Sequence, residues 1–153
     1  MKVAVYPGSF DPITNGHLEI LKRALNIFDK VIMLVAVNPN KKSRFNAEDR
    51  VNMIKEAIND PRVEVDSYEG LTVEYAKKHH ASHLIRGLRA VTDFEYEFSL
   101  ASANDFIDSS VDTVSLMSKA EKSFINSSMI MELYQSGVDI SALVPASVIK
   151  RLK

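Results

Sequence analysis

Four separate stretches of this chain hold side chains suited to gripping phosphate. The first is Gly8-Ser9-Phe10-Asp11-Pro12-Ile13-Thr14-Asn15-Gly16-His17. Gly8 permits close backbone approach to a ligand, and Ser9 offers a hydroxyl and an N–H. Gly16 and His17 fall where a helix should begin. Its unpaired N–H groups and positive dipole end attract phosphate, and His17 could donate to a phosphoryl oxygen. The second stretch carries Lys41, Lys42 and Arg44. The third is Arg86-Gly87-Leu88-Arg89, whose planar guanidinium forks match phosphate oxygens. The fourth, Lys122-Ser123-Phe124-Ile125-Asn126-Ser127-Ser128, is rich in hydroxyls and leads into a helix. Each also admits a plainer reading: a strand-to-helix turn, a solvated basic loop, surface arginines in ion pairs, and serine capping.

The elements that must position these groups are legible as periodicity. Val3-Ala4-Val5-Tyr6 reads as a buried strand closed by Pro7-Gly8. Leu18, Leu21, Leu25 and Phe28 stripe a helix over about 16–28. Val31 to Val37 is apolar at every position, as a strand covered on both faces would be. Asn46 caps a helix through Val51, Ile54 and Ile58. Val63-Glu64-Val65 reads as a third strand, and Gly70 and Thr72 open a short helix to Lys78. Ser82 to Ile85 reads as a fourth strand. Thr92 and Glu95 form a T-x-x-E capping box for a helix to Ile107, and Val111 to Leu116 reads as a fifth strand. Ser127/Ser128 to Tyr134 reads as a helix stopped by Gly137, and Pro145 suits the first turn of a last one. Such alternation predicts an α/β domain spanning 1–153, a mostly parallel five-stranded sheet with helices on both faces. Ligands bind beyond the C-terminal ends of such strands, where all four stretches lie.

Composition excludes several chemistries. The chain has 153 residues and no cysteine, so disulfides, thiolate metal sites and cysteine nucleophiles are absent. Its net charge of −1 supplies no global field for a nucleic-acid backbone or an acidic membrane. Neither a secretory h-region nor a span of ~20 apolar residues is visible, and a cytoplasmic protein is expected. The P-loop, G-x-G-x-x-G and G-x-S-x-G patterns are missing. His79, His80 and His83 straddle a helix end and a strand start and are read as no metal site. Asp93 and Glu97 share a helix face that excludes Glu95. The residues therefore favour phosphoryl or nucleotidyl transfer by positioning and electrostatics, without a covalent intermediate.

Thr14-Asn15-Gly16-His17, within Gly8 to His17, resembles the T-x-G-H signature of the nucleotidyltransferase superfamily. Asn38-Pro39-Asn40-Lys41-Lys42, Leu84-Ile85-Arg86-Gly87-Leu88-Arg89-Ala90 and Asp93-Phe94-Glu95-Tyr96-Glu97 extend the likeness to bacterial phosphopantetheine adenylyltransferases, over essentially the whole chain. The resemblance implies a Rossmann-like sheet of order 3-2-1-4-5 and a homohexamer. It implies a reaction of ATP with 4′-phosphopantetheine, with Mg²⁺, giving dephospho-coenzyme A and pyrophosphate, and an expected interaction with coenzyme A.

The same resemblance implies roles. His17 would contact the ATP phosphates and stabilise the transition state, with Lys41 and Arg89 also catalytic. Ser9, Phe10, Gly87, Leu88, Arg89, Glu97 and the stretch Lys122, Ser123, Phe124, Ile125, Asn126, Ser127 and Ser128 would bind ATP. Ser9, Lys41, Thr72 and Arg86 would bind phosphopantetheine. No metal ligand is assigned. Asn126 departs from the serine usual in that stretch but can still cap and donate. Two alternatives stay open: another acceptor within the superfamily, such as nicotinate mononucleotide, and a non-catalytic nucleotide-binding module.

Overall fold

The computed structural model describes residues 1–119 and 125–153. Among the described residues five strands and six helices follow in the order β1 (Val3–Gly8), α1 (Asn15–Ala24), β2 (Lys30–Ala36), α2 (Ala47–Ala57), β3 (Val63–Tyr68), α3 (Thr72–Lys78), β4 (His83–Leu88), α4 (Val91–Ile107), β5 (Asp112–Met117), α5 (Ser127–Gln135) and α6 (Ala146–Leu152). All strand pairings are parallel, in the order β3-β2-β1-β4-β5. The apolar run of β2 is buried from both sides. Val31, Met33 and Val35 join a cluster with Ile20 and Leu21 of α1, Met53 and Ile54 of α2, Ile130 of α5 and Val148 of α6. Ile32 and Leu34 face the other way, onto Val73, Tyr75 and Ala76 of α3. Alternate side chains of one strand thus serve two layers.

The site lies where the sheet order reverses, between β1 and β4. The β1–β2 ladder runs through Gly8↔Val35, but the β1–β4 ladder ends at Val5↔Leu84. Pro7 follows and has no N–H with which to extend it. Beyond that point the two strands are bridged by a side chain: Arg86 NH1 donates to the Pro7 carbonyl at 3.0 Å. The parting of β1 from β4 opens the crevice that this fold uses for ligands.

Several expected boundaries move for local reasons. β1 runs on through Pro7 and Gly8, since β2 alone continues its pairing. Helix α1 stops at Ala24, and the chain turns through Leu25 so that Phe28 packs into the core from outside the helix. The T-x-x-E box at Thr92 does not form. The cap residue of α4 is Ala90, and the Asp93 carboxylate accepts the N–H groups of Arg89 and Ala90 at 3.1 and 3.2 Å, so Thr92 lies inside the helix. Asn46 caps α2 as expected, its Oδ1 accepting from Asp49 N–H at 2.7 Å. Pro145 is the residue before α6 rather than within its first turn. After α5, Gly137 at φ 86° lets its own N–H reach Tyr134 and the Val138 N–H reach Leu133, a paired C-terminal closure.

Candidate active site

The β1–α1 turn is built to hold His17. Thr14 caps α1: its Oγ1 accepts from His17 N–H at 3.2 Å, and its own N–H donates to His17 Nδ1 at 3.0 Å. A backbone N–H can only donate, so Nδ1 is the unprotonated nitrogen. Neutral His17 therefore carries its proton on Nε2 and presents a donor rather than an acceptor. The ring is kept neutral by burial first, then by the guanidinium charges of Arg89 and Arg86, which push it from 6.5 to about 4.

Phe10 sets the other side of that ring. Its backbone is at φ 45°, unusual for a bulky side chain, and it is only 2% exposed. Its ring meets Tyr6 edge-on at 5.3 Å and His17 edge-on at 5.0 Å between centroids. Gly8 is required beneath it, because a Cβ there would lie 3.0 Å from Phe10 Cζ. Asp11 then ties the turn to the basic loop, its carboxylate accepting the N–H groups of Arg44 and Phe45 at 2.7 and 2.9 Å.

The two arginines of the third stretch are differently held. Arg86 makes a bidentate pair with Glu97, both contacts at 2.9 Å, and Glu97 is buried. Both Glu97 oxygens are thereby taken up by Arg86, so Glu97 orients the arginine that reaches the crevice. Arg89 lies 3.4 Å from Asp93 and donates to the Ile125 carbonyl at 3.4 Å. Asp93 and Glu97 thus face the site on one side of α4, while Glu95 is exposed on another.

Two cavities meet here. The first, about 410 Å³, is lined by Ser9, Phe10, His17, Gly87, Arg89, Glu97, Ile125, Asn126, Ser127 and Ser128. It contains every expected ATP residue among the described ones except Leu88, which does not line it. Lys122, Ser123 and Phe124 lie outside the described residues. The second, about 920 Å³, is lined by Ser9, Lys41, Thr72 and Arg86, the whole expected acceptor set, with Lys42 and Arg44 nearby. Ser9, Arg86, Ser127 and Ser128 border both. Asn126 caps α5 through Met129 N–H at 2.8 Å, Ser127 Oγ donates to the Pro12 carbonyl at 2.7 Å, and Arg44 NH2 donates to Ser128 Oγ at 3.3 Å.

The histidine trio stays apart from the site. His79 stacks on Tyr75 at 3.8 Å, and His83 contacts Ser82 Oγ at 2.7 Å and the Phe28 ring. Among the described residues no three His, Cys, Asp or Glu converge to hold a metal. Residues that the sequence does not single out also line the site, among them Arg50, Leu100, Asn104 and Ser118, and Asp11 has a role that the sequence does not show. Arg50 shares the buried stripe of α2 with Met53 and Ile54, while Val51 and Ile58 pack partly buried against the same core, so a cation sits on an apolar face.

Residues 5–133 match the model of the cytidylyltransferase-like family. By fold, the chain superposes on a bifunctional NMN adenylyltransferase/ADP ribose pyrophosphatase from Francisella tularensis with a TM-score of 0.65 at 19% identity, covering 91% of this chain and 43% of that one. A nucleotidyltransferase-like crevice fold is thereby defined. The chain is also 48% identical to the phosphopantetheine adenylyltransferase of Caldanaerobacter subterraneus subsp. tengcongensis, over 99% of this chain and 96% of that protein. It is 49% identical to that of Clostridium novyi, over 98% and 94%. The chain belongs to the phosphopantetheine adenylyltransferase family.

Proposed function

We propose that this protein transfers the adenylyl group of ATP to 4′-phosphopantetheine. An oxygen of the acceptor phosphate attacks the α-phosphorus, the bond to the β-phosphate oxygen breaks in line, and pyrophosphate and dephospho-coenzyme A leave. The observation that carries this reading is the meeting of two cavities at Ser9 and Arg86, with the His17 ring at the wall of the first. ATP fits the cavity of His17, Gly87, Arg89 and the start of α5; the acceptor phosphate fits that of Lys41, Thr72 and Arg86. Negative charge grows on the departing pyrophosphate. A neutral Nε2–H donor at a helix N-terminus, with Arg89 in the same cavity, stabilises it without giving up a proton.

We read Mg²⁺ as the companion of ATP, whose phosphates would supply part of its oxygen ligation. When bound it neutralises phosphate charge. Coenzyme A, which shares the acceptor's pantetheine arm, fits the same second cavity in this reading. A homo-oligomer, a hexamer in this reading, is supported by the apolar side chains that α4 and β5 leave uncovered: Phe94, Tyr96, Phe98, Phe106 and Met117 are 53–91% exposed. No helix among the described residues is long and apolar enough to cross a membrane, which accords with a cytoplasmic reading. The near-neutral charge favours no nucleic-acid or membrane partner.

Site-directed kinetics test the assignment. His17→Ala is expected to lower kcat by about 10²–10⁴ with a modest loss of ATP affinity. Arg86→Ala is expected to raise KM for phosphopantetheine more than for ATP. Wild-type turnover in the first variant, or equal KM effects in the second, would contradict the roles given.

A further inference from the structure

Arg50 stands on the buried stripe of α2 with Met53 and Ile54 and is only 5% exposed. Burying a guanidinium is costly unless its charge and donors are used. Among the described residues its one hydrogen bond runs from NH1 to the Ser9 carbonyl at 2.9 Å, while Nε is buried without a partner. The guanidinium, at the border of the acceptor cavity, is thus held by a single main-chain oxygen. That oxygen belongs to the peptide plane that precedes Phe10, the plane whose rotation is the φ angle of Phe10.

We propose that Arg50 is a positioning residue for adenylyl transfer, fixing the left-handed backbone at Phe10 and, through the Phe10 ring, the orientation of His17. The proposal rests on the role given to His17 above. A bulky residue at φ 45° persists only where its surroundings over-determine it. Here the carbonyl before Phe10 is held by Arg50, and the residue after it, Asp11, is held by the N–H groups of Arg44 and Phe45. With both sides pinned, the Phe10 ring stands edge-on to His17 at 5.0 Å. The His17 ring is held by Thr14 on its Nδ1 edge, through the Thr14 N–H at 3.0 Å and Oγ1 at 3.1 Å. In this proposal the Phe10 contact adds a restraint on the other side of the ring and so helps set where Nε2–H points. Arg50 also borders the acceptor cavity, so a direct acceptor contact is the competing explanation, and kinetics separate the two.

The experiment compares wild type, Arg50→Gln and Arg50→Lys, each alone and in the His17→Ala background, using the full chain with ATP, Mg²⁺ and 4′-phosphopantetheine. Arg50→Gln is expected to lower kcat by about 10²-fold, the cost of a misplaced catalytic group. KM for each substrate should change less than about threefold. Arg50→Lys should recover about tenfold of the loss, since it keeps the cation but not the fork. In the His17→Ala background Arg50→Gln should lower the residual rate less than about twofold, because the two act as one unit. Three results would overturn the proposal: wild-type kcat in Arg50→Gln, an effect confined to the acceptor KM, or the same fold loss with and without His17. If Arg50→Gln does not fold, Arg50→Lys decides by the same cycle. A wild type that does not turn over would instead defeat the proposed function.

Discussion

The state of the His17 ring can be read as a pH-dependence of stability. The fold holds this imidazole at about 4 against 6.5 for the free side chain, through burial and the charges of Arg89 and Arg86. Because the folded pKa is depressed, the unfolded chain takes up a proton that the fold refuses. Stability is therefore complete above 6.5, falls as pH drops through the window, and has lost the whole contribution by about 4. The slope is about 1.4 kcal/mol per pH unit for one proton, so comparing about pH 7 with about pH 5 gives a loss of about 2 kcal/mol. For a domain of this size that corresponds to roughly 4–8 °C in Tm. The control is His17→Gln, which does not titrate but preserves the cap, since Gln at the same position can accept from Thr14 N–H. Thermal or urea unfolding of both proteins at the two pH values isolates the His17 contribution, all other groups being shared. Wild type is expected to lose about 2 kcal/mol more than the variant. Parallel losses, or a His17 imidazole that titrates near its ordinary value by NMR, would refute the reasoning.

Other perturbations follow from the same geometry. Glu97→Gln keeps size but leaves Arg86 without its counter-charge, and should cost about 3 kcal/mol in urea unfolding; an unchanged midpoint would show that the pair is not a structural element of the crevice. Gly8→Ala places a methyl 3.0 Å from the Phe10 ring, which Tyr6 and His17 prevent from moving away. It should cost about 1–3 kcal/mol of stability and lower kcat, and an active, equally stable variant would count against the packing argument. Asp11→Asn removes a charged acceptor from the Arg44 and Phe45 N–H groups and should cost about 1–3 kcal/mol, with a rise in acceptor KM from the loosened Lys41 loop; a KM unchanged in the destabilised variant would show that the loop is held by other means.

Much of the architecture was legible because a doubly covered parallel sheet writes itself plainly. Val31 to Val35 is apolar throughout since both faces are buried, and the alternation with striped helices places each loop at a strand end. The cap at Asn46 and the closure at Gly137 are local, so local sequence sufficed. The start of α4 was misread because two acceptors compete for the same ends: Asp93 takes the N–H groups of Arg89 and Ala90 and begins the helix before Thr92. The ion pair of Arg86 with Glu97 joins a strand end to a helix face, and its residues were visible as phosphate ligands but not as partners. Arg50 and Asp11 escaped notice for a related reason. Each serves a main-chain group distant in sequence, and only the third dimension shows which.

The most direct test of the account is pyrophosphate release by the wild-type protein with ATP and Mg²⁺. Parallel reactions contain 4′-phosphopantetheine, nicotinate mononucleotide or no acceptor. The account predicts release with 4′-phosphopantetheine alone. Release only with nicotinate mononucleotide would contradict the acceptor assignment, and no release from a protein that still binds ATP would contradict the reaction itself.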